Sequence, residues 1–239
     1  MNAQNQKKQK KAFSKPQSIR ITTTALLCAI AVLLQYAEVP LPFMPAFIKL
    51  DFSDLPELIG AFVCGPLAGV LIALIKNIFH LIASGSGAVG ELSNFLLGAV
   101  FVFSAGMIYK KMPNFKGVII GGIAGAVLMG IASLPLNNFI IYPLYYSVIG
   151  FPKEAILDMY RVIRPSTGSI PEALLVFNVP FTIVKGLISV AVTAAVSLVA
   201  MPPVPSSEPL PPPRARMCSS MRLTVWISFA SGFLCGSPS

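Results

Sequence analysis

Two lysines, Lys76 and Lys185, lie inside apolar stretches long enough to cross a bilayer, while nearly every other charge falls in a connecting segment. Holding a cation in hydrocarbon costs about 2.5–3.5 kcal/mol even on lenient insertion scales, so such a side chain faces a partner, a ligand or a water-filled cavity. The two lysines therefore point to a helical membrane bundle with a polar interior that holds a polar ligand. Composition agrees, because 55% hydrophobic and 11% charged residues leave too few polar side chains to cover a soluble globule of 239 residues. The formal net charge of +9 does not make a nucleic-acid surface. That would need basic residues on one solvated face, whereas here they form short clusters beside apolar spans. The lipid bilayer, not nucleic acid, is the expected partner of those charges.

Residues 1–20 carry Lys7, Lys8, Lys10, Lys11, Lys15 and Arg20 and no acid, and Ile21–Ala37 is then almost wholly apolar. A secretory signal would need a cleavage site at the end of that run; none stands there, and more apolar spans follow. The run is read as the first transmembrane helix. Gly, Pro and charge bracket five more: Leu55–Cys64, Pro66–Ala83, Leu92–Tyr109, Val118–Tyr146 and Ala173–Ala200. The expected architecture is an all-α membrane protein, a six-transmembrane-helix bundle. Leu55–Cys64 is about half the ~20 residues a crossing needs, which is tolerable where a short helix lines a cavity.

Lys110, Lys111 and Lys116 share one connection and match the basic N-terminus, so the positive-inside rule puts both on the cytoplasmic side. Eight acids fall in the opposite segments: Glu38, Asp51, Asp54, Glu57, Glu91, Glu154, Asp158 and Glu172. Both termini are expected in the cytoplasm of a multi-pass protein. The division is thus a basic cytoplasmic N-terminus (1–20), a membrane substrate-binding domain (21–200) and a proline-rich atypical tail (201–239). The tail reads either as a foreign, frameshifted or read-through end or as a genuine proline-rich extension. Cys28 and Cys64 fall in or beside apolar spans, Cys218 and Cys235 in the tail, and no spacing suggests a disulfide framework or metal site.

The run Asp51-Phe52-Ser53-Asp54-Leu55-Pro56-Glu57 stands at the start of the short helix. Ser53 or Asp54 can cap it, with Pro56 in its first turn and Glu57 facing its dipole, and ligand contact is compatible with that role. A magnesium pair for a diphosphate substrate is the enzymatic alternative, which lacks a second acidic cluster. Lys76 and His80 stand at i and i+4 with Asn77 beside them, lining the interior or pairing with an outer acid such as Glu91. Asn137 and Asn138 precede Tyr142, Tyr145 and Tyr146, which suits an interfacial belt or an aromatic ligand. Asn178, Thr182 and Lys185 follow at spacings of four and three on one face, interrupted by Pro180. Ala25 and Ala29, and Gly117, Gly121, Gly122 and Gly125, are small-residue faces for internal packing or for another membrane subunit.

Together these segments resemble the substrate-binding S subunits of energy-coupling-factor (ECF) transporters, most closely the riboflavin-specific branch. The likeness covers about Ile21–Val199. It is carried by Lys49-Leu50-Asp51-Phe52-Ser53-Asp54-Leu55-Pro56, Gly65-Pro66-Leu67-Ala68-Gly69, Lys76-Asn77, Asn137 ahead of Pro143, and Pro180-Phe181-Thr182-Ile183-Val184-Lys185-Gly186. The resemblance implies a six-helix bundle in a bacterial cell membrane that captures a vitamin from outside under the loop after the first helix. It would pass the vitamin inward with a shared ECF transmembrane subunit and two ABC-type ATPases. It implies a transported ligand rather than a cofactor, and a transporter subunit rather than an enzyme. Amides and a lysine matching Asn137 and Lys185 would hold the flavin ring, with Asp51, Lys76, Asn77, Asn178 and Thr182 also at the site. The position of Thr182 is often Asn in riboflavin binders, and Asn178 one turn earlier offers an amide instead. Ala25 and Ala29 match the face that docks the shared subunit. The chain has no Gly-x-x-x-x-Gly-Lys-Ser/Thr loop, so an ATP-driven step belongs to partners. Another vitamin or precursor as cargo, a stand-alone carrier and an intramembrane enzyme are the alternatives.

Overall fold

The computed structural model describes residues 3–41, 44–45, 48–82 and 88–200, with side chains from 18 to 198. The tail from residue 201, with Cys218 and Cys235, lies outside the described residues. The first helix, α1 (Ala3–Tyr36), starts well before the apolar run, and its apolar part spans Ser18–Tyr36. The basic segment was expected only as a polar N-terminus; its Lys, Gln and Ala residues are strong helix formers and extend the helix. Next come α2 (Asp54–Val63), α3 (Pro66–Leu81), α4 (Val89–Lys111) and α5 (Phe115–Leu136). The α5 rod runs on through π-helical turns at Asn137–Ile141 and Tyr145–Ile149, so that Phe115–Ile149 is one apolar rod. An amphipathic helix, α6 (Lys153–Ile163), follows outside the main rods. A short turn (Ile170–Ala173) and a third π turn (Leu174–Asn178) then lead into α7 (Val179–Ala200).

Among the described residues, four rods are long and apolar enough to cross a membrane, and α3 is a shorter apolar helix. With α2 they occupy the six stretches read from the sequence as spans. The element that sequence reading missed is α6. It buries Ile156, Leu157 and Tyr160 at i, i+1 and i+4, a spacing visible between Pro152 and Pro165 but set in a mostly polar connection.

Helix direction is pinned at both ends. Arg20 of α1 donates to the carbonyl of Cys64 at the end of α2, while Tyr36 donates to the carbonyl of Phe79 at 3.0 Å near the end of α3. The chain reverses between α2 and α3 at Gly65, whose φ of 106° suits glycine, and Pro66 opens α3 with a preset φ. Between α4 and α5 the turn is closed by Asn114, which accepts from Gly117 N at 2.8 Å. Arg20, Lys110, Lys111 and Lys116 thus gather at one end of the bundle and the cluster around Glu38, His80 and Glu91 at the other.

The core sits where α2, α4, α5 and α7 meet, around Leu58, Phe62, Phe101, Val102, Ala105, Val118, Ala126, Met129 and Val190. Close approach of α4 and α5 depends on glycine: a Cβ at Gly121 would stand 2.8 Å from the Ala105 carbonyl oxygen, and one at Gly125 2.8 Å from that of Phe101. Of the two small-residue faces seen in the sequence, the glycine face is internal packing. Ala25 and Ala29, in contrast, are exposed on the outside of α1.

A side chain at Gly125 would push backbone against backbone, which cannot relax as a side chain does. Gly125→Val is expected to cost about 1–3 kcal/mol or more of stability, read as a lowered thermal midpoint of the detergent-purified protein; an unchanged midpoint would contradict the α4–α5 contact.

Candidate functional site

Five acidic and basic side chains alternate through the bundle interior. Asp51 Oδ2 lies 3.0 Å from Lys185 Nζ, and the same ammonium lies 3.2 Å from Asp54 Oδ2. Asp54 Oδ1 lies 3.2 Å from Lys76 Nζ, which in turn lies 2.5 Å from Glu57 Oε1. Asp54 and Glu57 are three apart on the first turns of α2, so both carboxylates share a face; Lys76 comes from α3 and Lys185 from α7. Asn94 of α4 accepts from Lys185 at 3.4 Å, and Ser53 accepts from Lys76. Asp51 also takes the backbone N–H of Ser53 at 2.9 Å, which fixes the entry into α2. Burial alone would push the Asp51 carboxyl up, but the Lys185 and Lys76 ammonium groups outweigh it and hold it well below the usual carboxylate range.

The sequence reading offered Glu91 as a partner for Lys76. Glu91 instead lies 2.9 Å from His80 Nδ1, and the acids of α2 take the lysine. Neither Ser53 nor Asp54 makes a side-chain capping bond, because Asp54 is drawn to the two lysines.

Above this chain of charges lies a cavity of about 510 Å³, within the ordinary range for a small-molecule site. Its floor holds Asp51, Asp54 and Lys185; Tyr36, Tyr142, Tyr145 and Phe181 give it aromatic wall. One side is a strap, in which two short antiparallel strands, Val39–Pro40 and Lys49–Leu50, pair with Val39 opposite Leu50. The strap brings Glu38, Ile48 and Lys49 to the cavity, with Lys49 paired to Glu38. Glu38 also faces His80 Nε2 at 3.9 Å, and the His80 ring stacks at 5.3 Å on Tyr36.

Of the candidate residues, Asp51, Asn137, Asn178, Thr182 and Lys185 all line this cavity. Lys76 and Asn77 stand behind its wall: Lys76 is wholly buried in the charge chain, and Asn77 accepts from Gln35 at 3.0 Å while donating to the Ala73 carbonyl at 2.8 Å. Gln35, overlooked in the sequence, also lines the cavity, and its buried Oε1 has no hydrogen-bond partner among the described residues. Ser93 and Asn94 were also overlooked. They follow Glu91 at the start of α4, and nothing in the sequence separates them from an ordinary polar first turn.

Hydroxyls orient the two cavity asparagines. Ser93 Oγ donates to Asn137 Oδ1 at 3.1 Å, and Tyr160 Oη donates to Asn178 Oδ1 at 2.8 Å. Burial pushes the Tyr160 phenol up, so it stays protonated at any physiological pH. Asn137, Tyr145 and Asn178 each sit in one of the three π turns. Prolines at 135, 143, 171 and 180 flank those turns, and the missing N–H groups favour such local rewinding. The site can therefore enclose a flat polar ligand between aromatic walls, with amide donors along its edge.

Removing Lys185 would leave two buried carboxylates facing each other. Lys185→Met is expected to destabilise by about 3–5 kcal/mol, and adding Asp51→Asn should restore part of the loss; a thermal melt of the single variant that matches the parent would refute the charge chain as a structural element.

The family model described as "ECF transporter, substrate-specific component" matches residues 19–197. The riboflavin transporter RibU of Staphylococcus aureus (strain TCH60) is 36% identical over 172 residues, covering 72% of this chain and 85% of that protein. The riboflavin transporter FmnP of Bacillus subtilis (strain 168) is 30% identical over 183 residues, covering 75% and 89%. A solved structure described as the S component of a bacterial ECF transporter superposes with a TM-score of 0.60 at 34% identity, covering 75% of this chain and 94% of that one. The chain therefore belongs to the substrate-specific components of ECF transporters, membrane transport subunits rather than enzymes.

Proposed function

We propose that this chain captures riboflavin from the outer side of a bacterial membrane and delivers it through a shared ECF transmembrane subunit driven by two ABC-type ATPases. The observation that carries the reading is the cavity itself, where aromatic side chains flank the amides of Asn137 and Asn178 and the ammonium of Lys185. An isoalloxazine ring is flat and apolar on its faces and carries carbonyl and ring-nitrogen acceptors with one N–H donor along its edge. Tyr142, Tyr145 and Phe181 suit the faces, and the asparagine amino groups suit the acceptors. The names of the two relatives, both riboflavin transporters, support the same cargo. Thr182 departs from the amide usual among riboflavin binders, and Asn178 in the same cavity supplies one.

Orientation follows from charge. Arg20, Lys110, Lys111 and Lys116 lie at the end opposite the strap, so the positive-inside rule puts the cavity mouth outside and both termini in the cytoplasm. The exposed alanines 25 and 29 offer a face on α1 where another helix can approach closely. No residue of the chain provides a nucleotide-binding loop, which leaves ATP hydrolysis to the partner subunits.

Purified protein is expected to bind riboflavin one to one, with quenching of flavin fluorescence, and Asn137→Ala is expected to weaken it about 5- to 150-fold, the loss of a buried hydrogen bond that leaves an acceptor unpaired. Absence of any flavin signal, in copurified absorbance or in titration, would reject this cargo.

Docking is separable from binding. Ala25→Trp or Ala29→Trp should leave riboflavin titration intact while uptake by cells and copurification with the ATPase-bearing subunits fall together. Loss of ligand binding in the inserted variant would assign these alanines to the bundle, and uptake that survives both the substitutions and ATP depletion would indicate a stand-alone carrier.

A further inference from the structure

Asn178 is buried, lines the cavity and stands within the last π turn. Its Oδ1 is occupied by Tyr160 Oη at 2.8 Å, and Tyr160 Oη lies 2.5 Å from Tyr142 Oη. With the Tyr160 proton given to the amide, its oxygen is left to accept from Tyr142, so the three groups form one directed chain from α5 through α6 to α7. An amide can rotate by a half turn and exchange donor for acceptor at little cost in shape, and only its neighbours decide which way it faces. Asn178 Nδ2 carries two protons; the Tyr142 oxygen stands within reach of one, and the other is left for the cavity. The same arrangement recurs at Asn137, whose Oδ1 is taken by Ser93.

We propose that Tyr160, on a helix outside the membrane rods, is a positioning residue that commits Asn178 to hydrogen-bond donation, so that this point of the site selects an acceptor atom on the ligand edge. The proposal rests on the cavity being the ligand site and gives α6 a role in ligand selection. Tyr160 does not touch the ligand; it is wholly buried and stacks at 5.4 Å on Phe177. Its full burial on the inner face of α6 is what makes it a fixed donor.

The test is riboflavin titration of the full chain in detergent with four variants. Asn178→Asp keeps the shape and can still accept from Tyr160, yet it has no proton for the ligand. It should lose about 5- to 100-fold in affinity, as Asn178→Ala does. Tyr160→Phe frees the amide to turn and should lose about 2- to 10-fold, but should lose nothing further in the Asn178→Ala background. A merely structural tyrosine would lower affinity by the same factor in both backgrounds. Retained affinity in Asn178→Asp, or additive losses in Tyr160→Phe with Asn178→Ala, would overturn the proposal. A ligand-free readout separates it from the choice of cargo: the Raman doublet of tyrosine reports hydroxyl donation, and the difference between the parent protein and Tyr160→Phe should show a donating phenol that weakens in Asn178→Ala. That signature together with no riboflavin binding would reject the cargo and keep the positioning role, whereas an accepting Tyr160 would reject the positioning role whatever binds.

Discussion

The structure depends on one alternating chain of charge, Asp51 to Lys185 to Asp54 to Lys76 to Glu57, buried where hydrocarbon would otherwise be. Each lysine lies between two carboxylates, and Asp54 serves both. A buried ammonium with one partner still bears a large desolvation cost, and the second carboxylate and the added acceptors at Asn94 and Ser53 offset it. Because the five groups come from the strap, α2, α3 and α7, the chain fixes the mutual position of those elements more tightly than apolar contact, which is tolerant of sliding. The short α2 needs this most: at ten residues it is anchored through Asp54 and Glu57 rather than by length.

A second layer of order lies above the charges. Three π turns, each beside proline, carry Asn137, Tyr145 and Asn178 into one cavity, and neighbouring hydroxyls turn the two amides. Irregular backbone of this kind is tolerable at membrane depth only where it is enclosed by protein or lines a cavity. The rods α5 and α7 thus combine straight apolar halves that pack through glycine at the basic end with rewound halves that build a site at the other.

Much of this was legible in the residues, and the gaps have physical causes. Lys76 and Lys185 announced a polar interior, because an intramembrane cation permits few explanations. The motif from Asp51 to Glu57 announced the start of α2, but capping rules assigned its acids to the helix end, whereas long-range pairing with two lysines, 22 and 134 residues away for Lys76–Asp54 and Lys185–Asp51, outweighs a local cap. Lys76 was matched to Glu91 on proximity in the chain, while the nearer imidazole of His80 takes that carboxylate. The amide sites at Asn137 and Asn178 could be named from spacing, yet their orientation could not, since it is set by Ser93 and Tyr160 on other elements. Helix α6 stayed hidden because its apolar face, regular as it is, belongs to a short and mostly polar segment between Pro152 and Pro165 that does not stand out beside the long apolar spans.

Asp51 belongs to both layers, as the residue that follows the strap and leads toward α2 and as the first member of the charge chain. Lys185 uses its donors on Asp51, Asp54 and Asn94, so the ammonium has no spare proton to give a ligand as it stands. It can turn toward one only by exchange, in which a ligand acceptor replaces Asp51 or Asn94. An uncharged carbonyl taking the place of Asp51 would free a carboxylate in the cavity, and that carboxylate must then find donors of its own, which polar hydroxyls on the same ligand could supply. A ligand that joins an acceptor-rich ring to a polyhydroxy chain meets both demands at once, while a ring alone meets only the first. The charge chain thereby favours cargo with two chemically different ends.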